Sequence, residues 1–440
     1  MAAEWWRLFN SRELENAVRQ AIANNPNLQS AQASLRQSQE NLQAGYGVFY
    51  PAINLGFSAT RERLSPYRFG PSTSSTGVFN LFTLGTTISY TLDLFGGQRR
   101  TVEGLAAQVD YQRYTMLGTY MTLSGNVVNT VIARAAYQEQ LQAMEQLIAM
   151  QKEQLAMTEA QATAGVAPYS NVLSIRSQLA SNQATLPGLQ QKRDQADHLL
   201  ATLMGRPPSE QGAITISLSS LTLPHKLPVS LPSDFARQRP DILAAEAQLH
   251  ASSAAIGVAT ADLFPSVGLS GSYGSTSTTT GNLFGSNSKY WSIGPEINYS
   301  LFQGGTLWYK RRAAIEGYQK SLADYRQTVL SALQQVGDTL KALEHDAQTL
   351  QAQADALQSA EDALNLRQAN YQAGTANYLD LLNANTQFQQ AKINYLQARA
   401  QRFQDTTALF VALGGGWWND KGLQKIGRPE HPAVEGEKQP

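Results

Sequence analysis

The sequence predicts an α+β membrane protein. Four strands per chain contribute to a transmembrane β-barrel, and the barrel continues into very long α-helices. Three observations carry this. A set of motifs occurs twice at a constant spacing. Four segments alternate apolar and polar residues. Two long stretches are built from helix formers and contain no proline.

The repeat is read first, because missing one misassigns the whole fold. Asn25-Pro26-Asn27-Leu28 is followed by Leu35, Leu42, Phe49 and Pro51. Arg239-Pro240-Asp241-Ile242, Leu249, Ile256, Leu263 and Pro265 follow the same order, each 214 residues further on. Leu94-Phe95 and Gly96-Gly97 have counterparts in Leu301-Phe302 and Gly304-Gly305, and Ala164-Gly165 in Ala373-Gly374. Chance similarity between Ala- and Gln-rich helices would not keep Pro, heptad and Gly-Gly in order. The expected organisation is a first repeat over 1–205, a linker over 206–232, a second repeat over 233–414 and a tail over 415–440.

Each repeat opens on a heptad-spaced helix, about 26–49 and 240–263, stopped by Pro51 or Pro265. A β-hairpin follows, over 52–94 and 266–302. Ile53, Leu55 and Phe57 alternate with Asn54, Gly56 and Ser58, and Phe82, Leu84, Ile88, Tyr90 and Leu92 with Ser, Thr and Gly. Val267, Leu269 and Tyr273, then Trp291, Ile293 and Ile297, do the same in the second copy. Period-2 patterning means strands. Their lengths approach the roughly 9–11 residues that a tilted strand needs to cross a bilayer. Ser/Thr/Gly/Asn-rich loops at 65–79 and 275–288 join each pair. Pro295 interrupts the fourth strand and belongs at a bulge or an unpaired position.

A soluble half-buried sheet has the same period. Here the polar face is Ser, Thr, Gly and Asn with few charges, and the apolar face carries Tyr90, Trp291 and Tyr299, which suit a membrane interface. Four strands cannot close a barrel, and an open edge in lipid leaves backbone groups unsatisfied. The chain must therefore oligomerise: a dimer gives eight strands, a trimer twelve and more room for a pore. The helix pairs, 98–204 and 306–412, are rich in Ala, Gln, Leu, Glu and Lys. At about 1.5 Å per residue, the longer member of each pair is about 100 Å long.

Composition removes other classes. The 34 Lys+Arg balance 34 Asp+Glu, and 15% of residues are charged. No basic excess exists for nucleic acid. No Cys is present, so there is no disulfide, thiolate metal site or Cys nucleophile. His198, His225, His250, His345 and His431 lack metal-ligand spacing. Gly414-Gly415-Gly416 leads into Trp417-Trp418 and not into a phosphate-binding helix. The expectation is a protein with no cofactor and no enzymatic activity. Met1 leads into Glu4-Trp5-Trp6 without an apolar leader, which fits either a cytoplasmic chain or a mature exported one.

At this level of detail the sequence resembles the outer-membrane efflux channels, the TolC-like outer membrane factors. The resemblance runs from about Trp5 to Trp417. It rests on Trp5-Trp6…Phe9…Leu14, Arg239-Pro240-Asp241-Ile242…Phe264-Pro265, Leu301-Phe302…Gly304-Gly305, Tyr371…Gly374-Thr375…Tyr378-Leu379-Asp380-Leu381-Leu382 and Ala412-Leu413-Gly414-Gly415-Gly416-Trp417. The Arg-Pro-Asp-Ile run and the Gly-Gly-Gly-Trp end resemble the multidrug branch.

The resemblance implies a homotrimer with a twelve-stranded barrel in the outer membrane and a helical barrel in the periplasm. A belt of N-terminus, linker and C-terminus would wrap the helices. It further implies a passive exit duct for small molecules, working with a periplasmic adaptor (membrane fusion) protein and an inner-membrane RND-type transporter, with outer-membrane lipid around it and no nucleic acid. This branch often begins at a lipidated Cys. The helix breaks would form the periplasmic tip, with Gly165, Val166, Ala167, Gly374, Thr375 and Ala376 meeting the adaptor. Asp380, Asn383, Leu382 and Tyr371 would form the gate. Charged pairs that lock the tip in some members are replaced here by Asn171 and Ala376. A channel for type I protein secretion and a soluble coiled-coil protein are the alternatives.

Overall fold

The structure, a computed structural model of the full chain, describes residues 3–63, 77–209, 216–224 and 238–426. The chain divides into two compact units. One contains Arg36–Tyr111 and Ala245–Tyr325; the other contains Met1–Leu35, Gln112–Ala244 and Arg326–Pro440.

The first of these is built on a four-stranded antiparallel sheet in the order β1-β2-β3-β4, with β1 Ala52–Arg63, β2 Val78–Leu92, β3 Ser266–Ser277 and β4 Lys289–Asn298. The strands begin and end close to the expected positions. Strand residues extend into both expected loop segments, since β2 already starts at Val78 and β3 runs to Ser277. Most of the expected 65–79 loop lies outside the described residues. No bulge forms at Pro295. It faces Leu269 in unbroken register. The reason is position: β4 is an edge strand, where a missing ladder donor is tolerated.

Two helices lead into the sheet. α2, Pro26–Gly45, ends in a 3-10 turn at Tyr46–Phe49, and α5, Pro240–Ala261, stops four residues before Pro265. Both start with proline, whose fixed φ suits the first helical position. The heptad of α2 is fully realised, with Leu28, Leu35 and Leu42 buried. Of the matching heptad positions in α5, Ile242 is buried, while Leu249 and Ile256 are half-buried.

Two helices lead out of the sheet. α3 spans Gly97–Thr163 and α6 Thr306–Gln372, 67 residues each. After a short break come α4, Tyr169–Leu203, and α7, Tyr378–Ala412, 35 residues each. α4 continues through Pro187, which the sequence reading did not single out. Among the described residues, no helix is long and apolar enough to cross a membrane.

The second unit is pinned by aromatic residues. Trp5, Trp6 and Phe9 are fully buried. Trp5 stacks on Phe410 of α7 at 5.3 Å, and Phe9 meets Phe403 at 5.9 Å. An unanticipated helix follows, α1 Arg12–Asn24, capped by Ser11, whose hydroxyl accepts from the Leu14 amide at 3.3 Å. The described part of the linker docks here too. Leu218 is buried and its amide donates to Glu139 of α3 at 2.7 Å, while the Thr222 amide donates to the Phe9 carbonyl. The C-terminal end adds α8, Lys421–Lys425, whose Gln424 carbonyl accepts from Arg113. Residues 210–215 and 225–232 of the expected linker, 233–237 at the start of the expected second repeat and 427–440 of the tail lie outside the described residues.

The residue before each of the two prolines closes a helix end. Asn25 accepts the amides of Asn27 and Leu28 and donates to the Leu203 carbonyl at 2.9 Å. Arg239, buried, donates to both oxygens of Asp241, to Gln335 and to the Ala412 carbonyl. The last carbonyls of α4 and α7 thus gain partners they lack within their own helices.

One electrostatic feature lies far from the breaks. Asp346 of α6 has its carboxyl pushed up to about 7, first by burial and then by the hydrogen bond and charge of Asp405 on α7; Arg402 and His345 pull it partly back. A folded-state value above the ordinary 3.8 favours the protonated form. The associated stability is present in acid and is lost as pH rises towards 7. Asp346→Asn should therefore flatten the dependence of Tm on pH between about 4 and 7, raising Tm at neutral pH; thermal scans across that window check it.

Candidate functional site

Two regions carry the expected function: the sheet and the helix breaks. In the sheet, the register sorts side chains cleanly. Ile53, Leu55, Phe57, Leu84, Ile88 and Leu92 share one face with Val267, Leu269, Tyr273, Trp291, Ile293 and Ile297. Trp291, Ile293 and Ile297 are each about 70% exposed, as is Leu55 at 75%. Apolar surface of this extent on a sheet face marks a contact with something apolar.

The opposite face is hydroxylated. Thr83 and Thr276 bond each other at 3.1 Å, and Ser272 and Ser292 at 2.7 Å. Gly56, Gly85 and Gly274 lie in one register row that ends at Tyr290. A Cβ on Gly85 would sit 2.5 Å from the Tyr290 hydroxyl, and one on Gly274 2.4 Å from the Leu84 carbonyl. The ring therefore lies flat along the sheet, in space that only glycine leaves open. Where the strand ends meet α3 and α5, a recess of about 600 Å³ includes Asp93, Tyr299 and the stacked rings of Phe95 and Phe264.

The two helix breaks share one backbone geometry. α3 ends at Gly165 with φ +74°, and the Val166 amide reaches back to the Gln161 carbonyl at 2.9 Å. α6 ends at Gly374 with φ +73°, and the Thr375 amide reaches the Asn370 carbonyl at 2.9 Å. Both are left-handed helix caps that glycine makes without strain. Gly165, Val166, Gly374 and Thr375 are exposed; Ala167 and Ala376 are half-buried.

The proposed gate residues fall into different settings. Asn377 caps α7 by accepting the Asp380 amide at 2.9 Å, which leaves the half-buried Asp380 side chain in the first helical turn. Leu382 is 3% exposed within the single chain, in the packed side of α7. Asn383 is exposed but accepts from Gln154 of α3 at 2.6 Å. Tyr371 lies 5.3 Å from the Tyr378 ring. The Tyr378 hydroxyl donates to Glu153 of α3, and that bond pushes its pKa up to about 12.

Gln154, Glu153 and the Gln151–Asn182 bond at 2.9 Å are partners that the sequence reading missed. Above them α3 packs through Ala143, Met144, Leu147 and Ile148 against Leu179 and Ile393. The apolar core of α3 thus gives way to amides near the break.

The decisive comparison is with a family model. The family described as outer membrane efflux protein matches residues 17–206 and 231–415. The chain belongs to this family. Among relatives of this efflux protein, the pyoverdine export outer membrane protein OpmQ of Pseudomonas aeruginosa is 29% identical over 95% of the chain and 88% of its own length. The cation efflux system protein CusC of Escherichia coli is 27% identical over 94% and 88%. The solved outer-membrane channel OprN superposes with a TM-score of 0.85 at 29% identity, over 95% of this chain and 93% of its own.

The efflux protein is therefore an outer-membrane exit channel for small molecules, in a Gram-negative bacterium, extending into the periplasm. The soluble coiled-coil alternative falls with this finding. The α3–α7 contacts generate a test. Each hydrogen bond is worth about 1 kcal/mol, or roughly fivefold in local opening. Combining Gln154→Ala with Tyr378→Phe should accelerate amide hydrogen exchange over 378–388 by more than tenfold (roughly, two such bonds). Exchange over 116–132 should not change.

Proposed function

We propose that three copies of the chain close one twelve-stranded barrel, and that the channel is the outer-membrane member of a tripartite pump with a periplasmic adaptor and an inner-membrane RND-type transporter. The observation that carries this is the sheet: four strands, β1 and β4 as edges, and one exposed apolar face. In hydrocarbon those edges need partners. Closure by three chains gives twelve strands and a lumen lined by the hydroxylated face.

Duplication within the chain fits the same reading. The paired helices have equal lengths, β1 and β3 both have 12 residues, and the family model matches twice. We take the 1–205 and 233–414 segments as the two copies. A duplicated unit places six similar helix pairs around a threefold axis.

At the break end, exposed Gly165, Val166, Gly374 and Thr375, with Ala167 and Ala376 behind them, form the surface we assign to the adaptor. Asp380 is the residue we assign to the pore, where three carboxylates would meet. Asn383, Tyr371 and the buried Leu382 hold α7 in place beside it. The energy for transport comes from the transporter. The names of OpmQ and CusC refer to pyoverdine and to cations. Such different cargo fits selection at the pump, with this chain as the duct.

Two experiments test this. Native mass measurement in detergent should give a trimer; a stable monomer would remove the barrel. In the same preparation Ile88→Arg, in mid-strand, should lower stability by about 2–4 kcal/mol, whereas Leu92→Arg at the strand end should cost about 0–1 kcal/mol. The second concerns the pore. Single-channel recording in planar bilayers should show cation preference, with multivalent cations blocking from the break side. Asp380→Ala should weaken both, and Asp338→Ala, in the middle of α6, neither. Unchanged preference in Asp380→Ala would move the pore constriction elsewhere.

A further inference from the structure

Charge is distributed unequally over the two faces of the sheet. Five charged residues occur in the four strands: Arg61, Glu62, Arg63, Lys289 and Glu296. The register puts Arg61 and Arg63 on the face of Phe57 and Leu84, and Lys289 on the face of Trp291 and Ile293. Glu62 and Glu296 point to the hydroxylated face. The apolar face is therefore charged only by basic residues.

Their height is equally selective. Arg63 is the last residue of β1 and Lys289 the first of β4, so each lies at the loop end of its own strand, away from the helices, with Lys289 in the register row of Ser275, Leu84 and Phe57. All three are exposed. No carboxylate among the described residues lies within salt-bridge distance of them. Lys289 lies two residues before Trp291 on the same face, and Trp291 pairs with Tyr273. Aromatic residues of this kind mark the boundary of the hydrocarbon layer. Cations immediately beyond that boundary meet lipid headgroups and not acyl chains.

We propose that Arg61, Arg63 and Lys289 bind the phosphate groups of the phosphorylated glycolipid in the outer leaflet. The assignment rests on the barrel reading above. The helices extend into the periplasm, so the loop end faces outward, where the leaflet presents phosphates at the hydrocarbon boundary. Arg61 and Arg63, two residues apart on one strand, project in parallel about 7 Å apart. That spacing serves two phosphate oxygens or adjacent phosphates. Guanidinium groups match phosphate geometry in bidentate fashion, and Lys289 adds a point charge. In a closed ring β1 of one copy lies beside β4 of the next, which brings Lys289 of one chain towards the arginines of its neighbour. The glycolipid then bridges the seam between copies.

The test uses the full-length protein in detergent, read by native mass spectrometry. The assembled mass is recorded before any lipid is added, so a failure of the barrel reading is seen first and separately. Bisphosphorylated lipid A, its dephosphorylated form and phosphatidylglycerol are then titrated. Lipid A should bind, and removing its phosphates should abolish binding. Arg61→Gln, Arg63→Gln and Lys289→Gln should each weaken binding on the order of fivefold, with the triple variant multiplying the losses. Glu62→Gln, on the other face, should change nothing. Three results overturn the proposal: undiminished binding in an assembled triple variant, equal binding of dephosphorylated lipid, or equal binding of phosphatidylglycerol, which would make the rim a general anionic surface.

Discussion

A peptide group in hydrocarbon has no water to bond, and every strand in a bilayer must spend its amides and carbonyls on another strand. β1 and β4 each present one unpaired edge, so a single chain is an unfinished object in the membrane. Much else follows from that constraint. The alternation of Ile, Leu and Trp with Ser, Thr and Gly serves a sheet wetted on one side only.

The strands were legible because period 2 leaves a plain trace when one face meets lipid and the other water. Ile53, Leu55 and Phe57 needed no context to be read. The heptad Leu28, Leu35, Leu42 was equally plain, because each residue fills the same side of one helix. Leu249 and Ile256 have the same spacing but are only half-buried in a single chain. Spacing alone does not distinguish a finished core from a face that awaits a partner.

The break region was less legible. Gly165 and Gly374 announced the turns, but Gln154 and Glu153 stand in a stretch of Gln, Glu and Ala that reads as a solvated helix face. Their bonds to Asn383 and Tyr378 join residues more than two hundred positions apart, and no local signal ties such pairs together. The Asp346–Asp405 pair is hidden for the same reason. Leu382 shows the converse. Expected among the gate residues, it is buried within the single chain. α1 was missed because Trp5, Trp6 and Phe9 dominated the reading of the N-terminus.

The equal lengths of α3 and α6, and of α4 and α7, carry a consequence for how such a chain can change over time. A single-residue deletion in α3 alone would draw its end back by about 1.5 Å and rotate every later side chain by about 100°. The glycine turn of that arm would no longer stand level with its twin, and the side that faces α4 would be mismatched. Substitutions are cheap along these helices, but insertions and deletions are tolerated only when both arms change together, in steps near a whole number of turns. Helix length in this protein is thus a ruler held in duplicate, inherited as a matched pair even where the residues along it drift apart.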